Sequence, residues 1–529
     1  MDKILIGLSW PYANGELHIG HLGSSLPADI LARYYRLKGN EVCFVSGSDC
    51  FGTPISIQAQ KENRSAKEIS DEYHNRFVDV FHDLGFSFDN YTKTSNEHHV
   101  DFAKDFHASL YKSEYVYKKE ERRLFCENCN RFLPDRYVVG LCPICGAKTK
   151  GDACEKCGTI LEPEDLKEPV CGICGEKPTF KNTFQYYLAL SKLENKLKDY
   201  FEHSSLNWST NAINLTTRYF NEGLKDRAIS RDLDWGVPIP IENTGDKVIY
   251  NWGENVLGYL SACKEYCEEK NKNFNDWFKN DNCKHIYVHA KDNIQFHTII
   301  FPALLLANSQ GYHLPDEIFA YEFVTNEGQK ISKSRGTCLT ARELLEKYDV
   351  DFLRFYFAKN ISDRKDLDFR QTDFVNCVNG ELINNWGNLV NRTLSFIRDK
   401  FDNKINQLEV FDETKEKIEK TFISVSKYIE NGKISNALRD ILELVDYSNK
   451  FFNSTEPWKL VKEDKGKCER LCYQYLILIA NIIVLLNPFI PKGTSKVAKW
   501  IGIEIKKYEP VKLQKVQIEE FRPLYERIK

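Results

Sequence analysis

A single methionine, Met1, occurs in this 529-residue sequence. The phosphate-binding pattern G-x-x-x-x-G-K-[ST] is also missing, which removes the commonest ATPase architecture. Charge of one sign is lacking: 73 Lys and Arg stand against 76 Asp and Glu, a net of −3. With no global pull on a polyanion, any contact with nucleic acid must come from local basic patches. Long apolar runs are absent as well. The most apolar stretch, Tyr475 to Leu486, has 12 residues, carries Asn481 and stops at Asn487-Pro488, whereas about 20 residues are needed to span a bilayer. Its Tyr475, Ile479, Ile482, Ile483 and Leu486 predict a buried helix, and no membrane contact is expected. Trp10 and Pro11 stand where an export signal would carry its apolar segment, so a cytoplasmic protein is expected.

What the sequence does have is cysteine. There are 17, and eight form four C-x-x-C pairs: Cys126/Cys129, Cys142/Cys145, Cys154/Cys157 and Cys171/Cys174. Without an export signal this spacing favours metal over disulfides. Each pair puts two thiolates on one knuckle, and two knuckles complete a closed tetrahedral zinc site. Four pairs predict two Zn²⁺ ions, structural because four thiolates leave no open coordination position; spacing alone leaves open which knuckles share an ion. The surrounding region, about Glu114 to Arg231, is polar and breaks the α/β rhythm, so metal is expected to supply its folding free energy. Hydrophobic content of 42% supports a globular chain, and its length predicts about three domains.

Near the N-terminus, the apolar run Lys3 to Leu8 predicts a buried strand. Ser9 to Gly23 follows as S-W-P-Y-A-N-G-E-L-H-I-G-H-L-G, and Leu22, Leu26, Ile30, Tyr34 and Leu37 then recur at helical spacing. Strand, Gly-bearing turn and helix together set unpaired N–H groups and a positive dipole end beside the turn, a place to hold phosphate. His18 and His21 lie three apart at that helix start, and Gly20 between them removes the Cβ that would block a flat base. A second apolar strand over Glu41 to Val45 leads to Gly47-Ser48-Asp49, which puts a short carboxylate where a doubly wound sheet opens towards ligand. Far downstream, Lys330 to Ser334 reads K-I-S-K-S in a polar loop after Phe319 to Val324. Val248 to Trp252 and His285 to His289 read as strands, with Trp252, Val256 and Tyr259 at helical spacing. From Leu382 the sequence turns helical, with Leu382, Ile383, Trp386, Leu389, Val390 and Ile397 on one face, and Leu438, Ile441, Leu442 and Val445 repeat the period; a C-terminal bundle is predicted.

His18-Ile19-Gly20-His21 and Lys330-Ile331-Ser332-Lys333-Ser334 resemble the two signatures of class I aminoacyl-tRNA synthetases. The residues around them are similar to the methionyl-tRNA synthetase family, nearly end to end. The resemblance implies an α/β fold: a Rossmann-type, doubly wound parallel sheet, a zinc-knuckle insertion and a C-terminal α-helical bundle. It divides the chain into residues 1–113 and 232–320 for the two halves of the catalytic domain, 114–231 for the insertion, 321–370 for the second-signature loop and stem-contact region, and 371–529 for a helical anticodon-binding domain. The activity implied is ATP-dependent attachment of methionine to its tRNA through a methionyl-adenylate. Mg²⁺ accompanies the ATP.

Residue by residue, the resemblance assigns His18, His21, Lys330 and Lys333 to catalysis. It gives Gly20 and Asp292, with both lysines, to ATP, Asp292 accepting from the ribose hydroxyls. It gives Ser9, Trp10, Tyr12, Asp49, Trp252, Val256, Tyr259, Asn293 and His297 to methionine, with Asp49 on the α-ammonium. Aromatic walls suit a polarizable thioether. Asn388, Arg392, Pro457 and Trp458, the last two in a loop between helices, match residues that read the CAU anticodon of tRNA(Met); stacking and guanidinium contacts are how single-stranded RNA is read. Relatives with one zinc bind it through pairs similar to Cys142/Cys145 and Cys154/Cys157, which leaves Cys126/Cys129 with Cys171/Cys174. Ala290 stands where the family usually has Gly, and a methyl group there would cost nucleotide affinity if the backbone must approach it. Ile331 stands where many relatives have Met, in keeping with the single methionine of the chain. No sequence remains for the dimerising oligonucleotide-binding domain of some relatives, so a monomer is expected. The competing readings are a nucleotidyltransferase with a similar H-x-x-H turn, which would need no helical C-terminal third, and an idle RNA-binding paralogue, against which Asp49, Lys330 and Lys333 argue.

Overall fold

The structure is a computed structural model that describes residues 2–529 apart from 152, 153, 155, 158, 160, 246, 281 and 331–337, and for residue 330 the backbone alone. Its centre is a five-stranded sheet of β1 (Lys3–Leu8), β2 (Glu41–Ser48), β3 (Asn90–Lys93), β4 (Cys283–Ala290) and β5 (Glu317–Tyr321), in the order β5-β4-β1-β2-β3 and parallel throughout. Buried strands of a parallel sheet read as near-continuous apolar runs, and β1 does so. Its side chains alternate between two cores: Ile4, Ile6 and Leu8 face one, Leu5 the other. The first core takes in helix α1 (Ile19–Leu37) and runs without a break into the C-terminal bundle. The second packs helices Glu97–Leu110, Gly258–Glu269 and Phe301–Asn308 against the opposite face.

The excursion between β3 and β4 is carried on a long antiparallel ribbon, Val116–Cys126 against Thr179–Leu188, paired from Val116↔Leu188 to Phe125↔Thr179. The knuckles sit at its far end beside a small three-stranded sheet. The return half of the excursion is less polar in its packing than the sequence suggests. Helices Leu190–Ser204 and Thr210–Glu222 set Leu193, Leu197 and Phe220 into the second core. The knuckle end has a smaller core of its own, in which Leu133, Tyr137, Val138, Leu161 and Leu166 are buried with four of the cysteines.

In the bundle, Gln371–Cys377, Val378–Gly387 and Asn388–Phe401 run on as one rod with a π-helical middle, followed by Asp412–Glu430, Ile434–Ser454, Lys465–Leu486 and Pro491–Trp500. The helix predicted around Tyr475 is longer than its apolar stretch, at 22 residues. It is long and apolar enough to cross a membrane, yet 89% of its apolar window is buried inside the protein. Where bundle meets sheet, the guanidinium of Arg354 is sealed in. Its Nη2 donates to Asp29 Oδ2 of α1 at 2.6 Å and to Pro488 O at 3.0 Å, Nε donates to Phe489 O at 2.8 Å, and Nη1 to Leu84 O at 3.2 Å.

Candidate active site

Helix α1 starts at the cavity edge, and its first turn is capped by the two histidines of the first signature. His18 is the N-cap residue; its Nδ1 accepts from Gly20 N at 3.1 Å, and His21 Nδ1 accepts from His18 N at 3.1 Å. Two orphan donors of the helix end are thereby satisfied. Because each Nδ1 is an acceptor, the proton of each neutral ring resides on Nε2. The rings stack with centroids 3.9 Å apart, so two parallel N–H donors stand beside a helix N-terminus whose first turn holds no acidic residue.

These groups open into a cavity of about 710 Å³. Of the residues expected here from sequence, Ser9, Trp10, Tyr12, His18, Gly20, His21, Trp252, Ala290, Asp292 and Asn293 line it together. Trp10 fills a slot that two glycines keep open: a Cβ on Gly47 would lie 2.3 Å from the indole, and one on Gly258 2.6 Å. Tyr12 meets Trp252 edge-on at 6.4 Å, and Trp252 stacks flat on Phe296 at 3.6 Å.

Asp49, Val256, Tyr259 and His297 do not line the cavity and lie buried behind its wall. The fold bends there: Val248 to Trp252, expected as one strand, is a two-residue strand, Val248–Ile249, followed by a helical turn at Asn251–Glu254. That turn brings Asn251 over Asp49, donating from Nδ2 to both carboxylate oxygens at 2.8 and 3.0 Å. Burial pushes the Asp49 carboxyl well above the usual carboxylate range. His297 sits in a π-helical turn, Phe296–Ile300, a kind of irregularity common at functional sites. Its Nδ1 donates to Asn293 O at 2.9 Å, so its Nε2 accepts from the Tyr259 hydroxyl at 2.7 Å. Burial holds this ring neutral, lowering it to about 4.

Lys333 lies outside the described residues, and Lys330 is described in its backbone only. The flanks of that segment are defined. Val324–Asn326 pairs antiparallel with Gln329–Lys330, and Val324 and Thr325 line the cavity with the histidines. On the return, Leu339 O accepts from Ile19 N at 3.1 Å, and Thr340 bridges to His18. The segments before and after the undescribed residues therefore both lie beside the first signature.

The eight knuckle cysteines form two groups, Cys126, Cys129, Cys171 and Cys174, and Cys142, Cys145, Cys154 and Cys157, with all sulfurs of a group within 4.8 Å of one another. Close approaches of 3.5 Å join Cys126 to Cys174 and Cys145 to Cys154. In three knuckles the residue after the second cysteine has positive φ: Asn130 (46°), Gly146 (68°) and Gly175 (80°), which turns the chain back on its thiols. Four sulfurs at this spacing fit a tetrahedral Zn²⁺.

Two family models match the chain: tRNA synthetases class I (M) over residues 4–394, and the anticodon binding domain of methionyl tRNA ligase over residues 405–518. Methionine--tRNA ligase 1 of Alkaliphilus oremlandii is 42% identical over 99% of this chain and 97% of its own length, and methionine--tRNA ligase of Bacillus cereus gives the same figures. The chain belongs to the methionyl-tRNA synthetases. Its fold agrees with that of Mycobacterium tuberculosis methionyl-tRNA synthetase, solved in complex with methionyl-adenylate, at a TM-score of 0.83 and 21% identity over the whole of both chains.

In this member of the synthetase family the four residues expected at the anticodon lie on the bundle, C-terminal to all of the cavity-lining residues. Asn388 is exposed. Arg392 donates to Asn453 Oδ1 at 2.8 Å and Asn449 O at 2.9 Å, and its guanidinium lies 4.3 Å from the Phe452 ring. Phe452 in turn lies 6.4 Å from Trp458, which is 45% exposed. Pro457 and Trp458 do not form the expected loop; they open a helix, Pro457–Glu463, after Glu456 with φ of 40°, because the fixed φ of Pro suits the first helical position. Sequence reasoning missed Phe296, Asn251 and Glu254 in this synthetase. Phe296 could be read from its place beside His297, whereas the other two are set by tertiary contacts alone.

Proposed function

We infer that this chain activates methionine with ATP as methionyl-adenylate and transfers the methionyl group to tRNA(Met). The observation that carries this reading is the convergence, on one cavity, of the α1 N-terminus with its stacked imidazoles, the Asp292 turn and an aromatic chamber backed by a buried carboxylate. The nucleophile is the carboxylate of methionine itself, so the protein's work is alignment and charge stabilisation. The Nε2–H groups of His18 and His21 donate to the phosphates, Gly20 underlies the adenine, and Asp292 accepts from the ribose hydroxyls. Lys330 and Lys333 neutralise the departing pyrophosphate, with Mg²⁺ on the triphosphate.

Asp49 takes the α-ammonium. Ser9, Trp10, Tyr12, Trp252 and Asn293 line the thioether pocket, and Val256, Tyr259 and His297 back it from behind the cavity wall. Because Tyr259 donates to His297, neither group is left as an ionised partner for the sulfur. Two Zn²⁺ ions hold the knuckles, and Asn388, Arg392, Pro457 and Trp458 read the anticodon. The protein acts as a monomer in the cytoplasm.

The decisive experiment is charging of total tRNA with each standard amino acid: methionine alone is expected, and any other substrate overturns the assignment. For the second signature, Lys333→Ala is expected to slow methionine-dependent ATP–pyrophosphate exchange by about 100-fold or more with little change in the KM for methionine, as for a group that acts in the transition state.

A further inference from the structure

Behind Asn251 lies a second carboxylate. Glu254 is fully buried, its Oε1 3.4 Å from the same Asn251 Nδ2 that serves Asp49. Two buried carboxylates thus flank one amide nitrogen, and among the described ion pairs no Lys or Arg reaches either. Tyr12 donates its hydroxyl to Asn251 Oδ1 at 2.9 Å, which fixes the amide with its nitrogen turned towards both carboxylates and towards Phe51 O, the last at 3.4 Å.

The proton arrangement follows from the far side of Glu254. Ser261 Oγ donates to Gly258 O at 3.2 Å and accepts from His99 Nδ1 at 2.8 Å. A neutral ring protonated on Nδ1 has a bare Nε2, and that atom lies 2.7 Å from Glu254 Oε2. The proton in this contact comes from the carboxyl group. An imidazolium facing a carboxylate would hold the same number of protons, so Glu254 and His99 are neutral as a pair in both arrangements. Burial favours the uncharged form of each, lowering His99 to about 3 and raising Glu254 well above the carboxylate range.

We propose that Glu254, kept uncharged by His99, is a positioning residue for the amino-acid substrate: through Asn251 it holds Asp49 in place, and it adds no second negative charge to the chamber floor when the substrate's ammonium draws one onto Asp49. This rests on the reading of Asp49 as the ammonium site. The electrostatic need is plain. An amino acid brings its own carboxylate, and a second buried negative charge would repel the group that must attack ATP.

The test is the preference of the full-length protein for methionine over deaminated methionine, the same thioether acid with hydrogen in place of the amino group, measured by equilibrium dialysis. Glu254→Leu is expected to lower that preference about tenfold, the loss of one hydrogen bond to a charged group, while the affinity for the deaminated acid, which makes no ammonium contact, barely moves. Glu254→Gln, which can still donate to His99 and accept from Asn251, is expected to recover most of the preference. An unchanged preference in Glu254→Leu overturns the proposal, and so does a loss in Glu254→Gln as large as in Glu254→Leu. Should the Leu variant not fold, Asn251→Ala decides: it must lose the preference by a similar factor, and retention overturns the proposal. Asp49→Asn separates the two layers. If it keeps the preference, the reading of Asp49 fails; if it loses the preference while Glu254→Leu keeps it, only the positioning role fails.

Discussion

Asp29 and Arg354 show how charge behaves where solvent does not reach. Both side chains are essentially unexposed, and Asp29 also receives Ser87 N and Oγ at 2.7 Å and Arg33 Nε at 2.8 Å. Burial pushes its carboxyl up, but Arg354, Arg33 and Ser87 together outweigh that and hold it at about 2. A carboxyl whose folded value lies below its unfolded one stabilises the fold above the unfolded value of 3.8 and loses that contribution as pH falls towards about 2. The amount is about 2 kcal/mol. The urea midpoint of unfolding is therefore expected to fall across that window, and Asp29→Asn to flatten the fall. Arg354→Met leaves a buried carboxylate short of its main partner and is expected to cost about 3–5 kcal/mol. Adding Asn at position 29 should recover part of the loss, which the same denaturation series measures.

The elements differ in what holds them. The ribbon from Val116 to Cys126 and its partner are held by ten paired residues, whereas the knuckle end combines a small core with two groups of four thiols. Purified protein is expected to contain two zinc ions per chain, one for each four-cysteine group, and Cys126→Ser to reduce metal content by about half, as counted by atomic emission. Local spacing made the four cysteine pairs legible in the sequence, though not which pairs share a group, and it did the same for β1, α1 and the helical C-terminal third, since periodicity and knuckle spacing are properties of short stretches. Legibility failed where neighbours decide the backbone. Val248 to Trp252 has the residues of a strand, yet contact with Asp49 turns Asn251 into a helix. Pro457 reads as a breaker but begins a helix, and no periodicity announces the π-helical turns at Phe296–Ile300 and Val378–Gly387. The place of Asp49 after β2 sets a carboxylate on the ligand side of the sheet and only the resemblance gives it a role, while its partners Asn251 and Glu254 carry no signal of their own.

For the whole molecule, activation and tRNA recognition reside in different parts of the chain. Trp458→Ala is expected to lower kcat/KM for charging by roughly 5- to 100-fold, the worth of about 1–3 kcal/mol for a stacked base, while pyrophosphate exchange, which needs no tRNA, continues. A mutant that loses both reactions equally would show that Trp458 supports the fold and does not read the anticodon. The strand order has a further consequence for biosynthesis. β1 lies between β2 and β4, and β4 begins only at Cys283. On the ribosome the nascent N-terminal half must therefore wait with one flank of β1 unpaired, on the order of ten seconds or more at roughly 5–20 residues per second. An open strand flank is an invitation to wrong pairing, so chaperone dependence of the newborn chain should be concentrated in the interval before its 283rd residue leaves the exit tunnel.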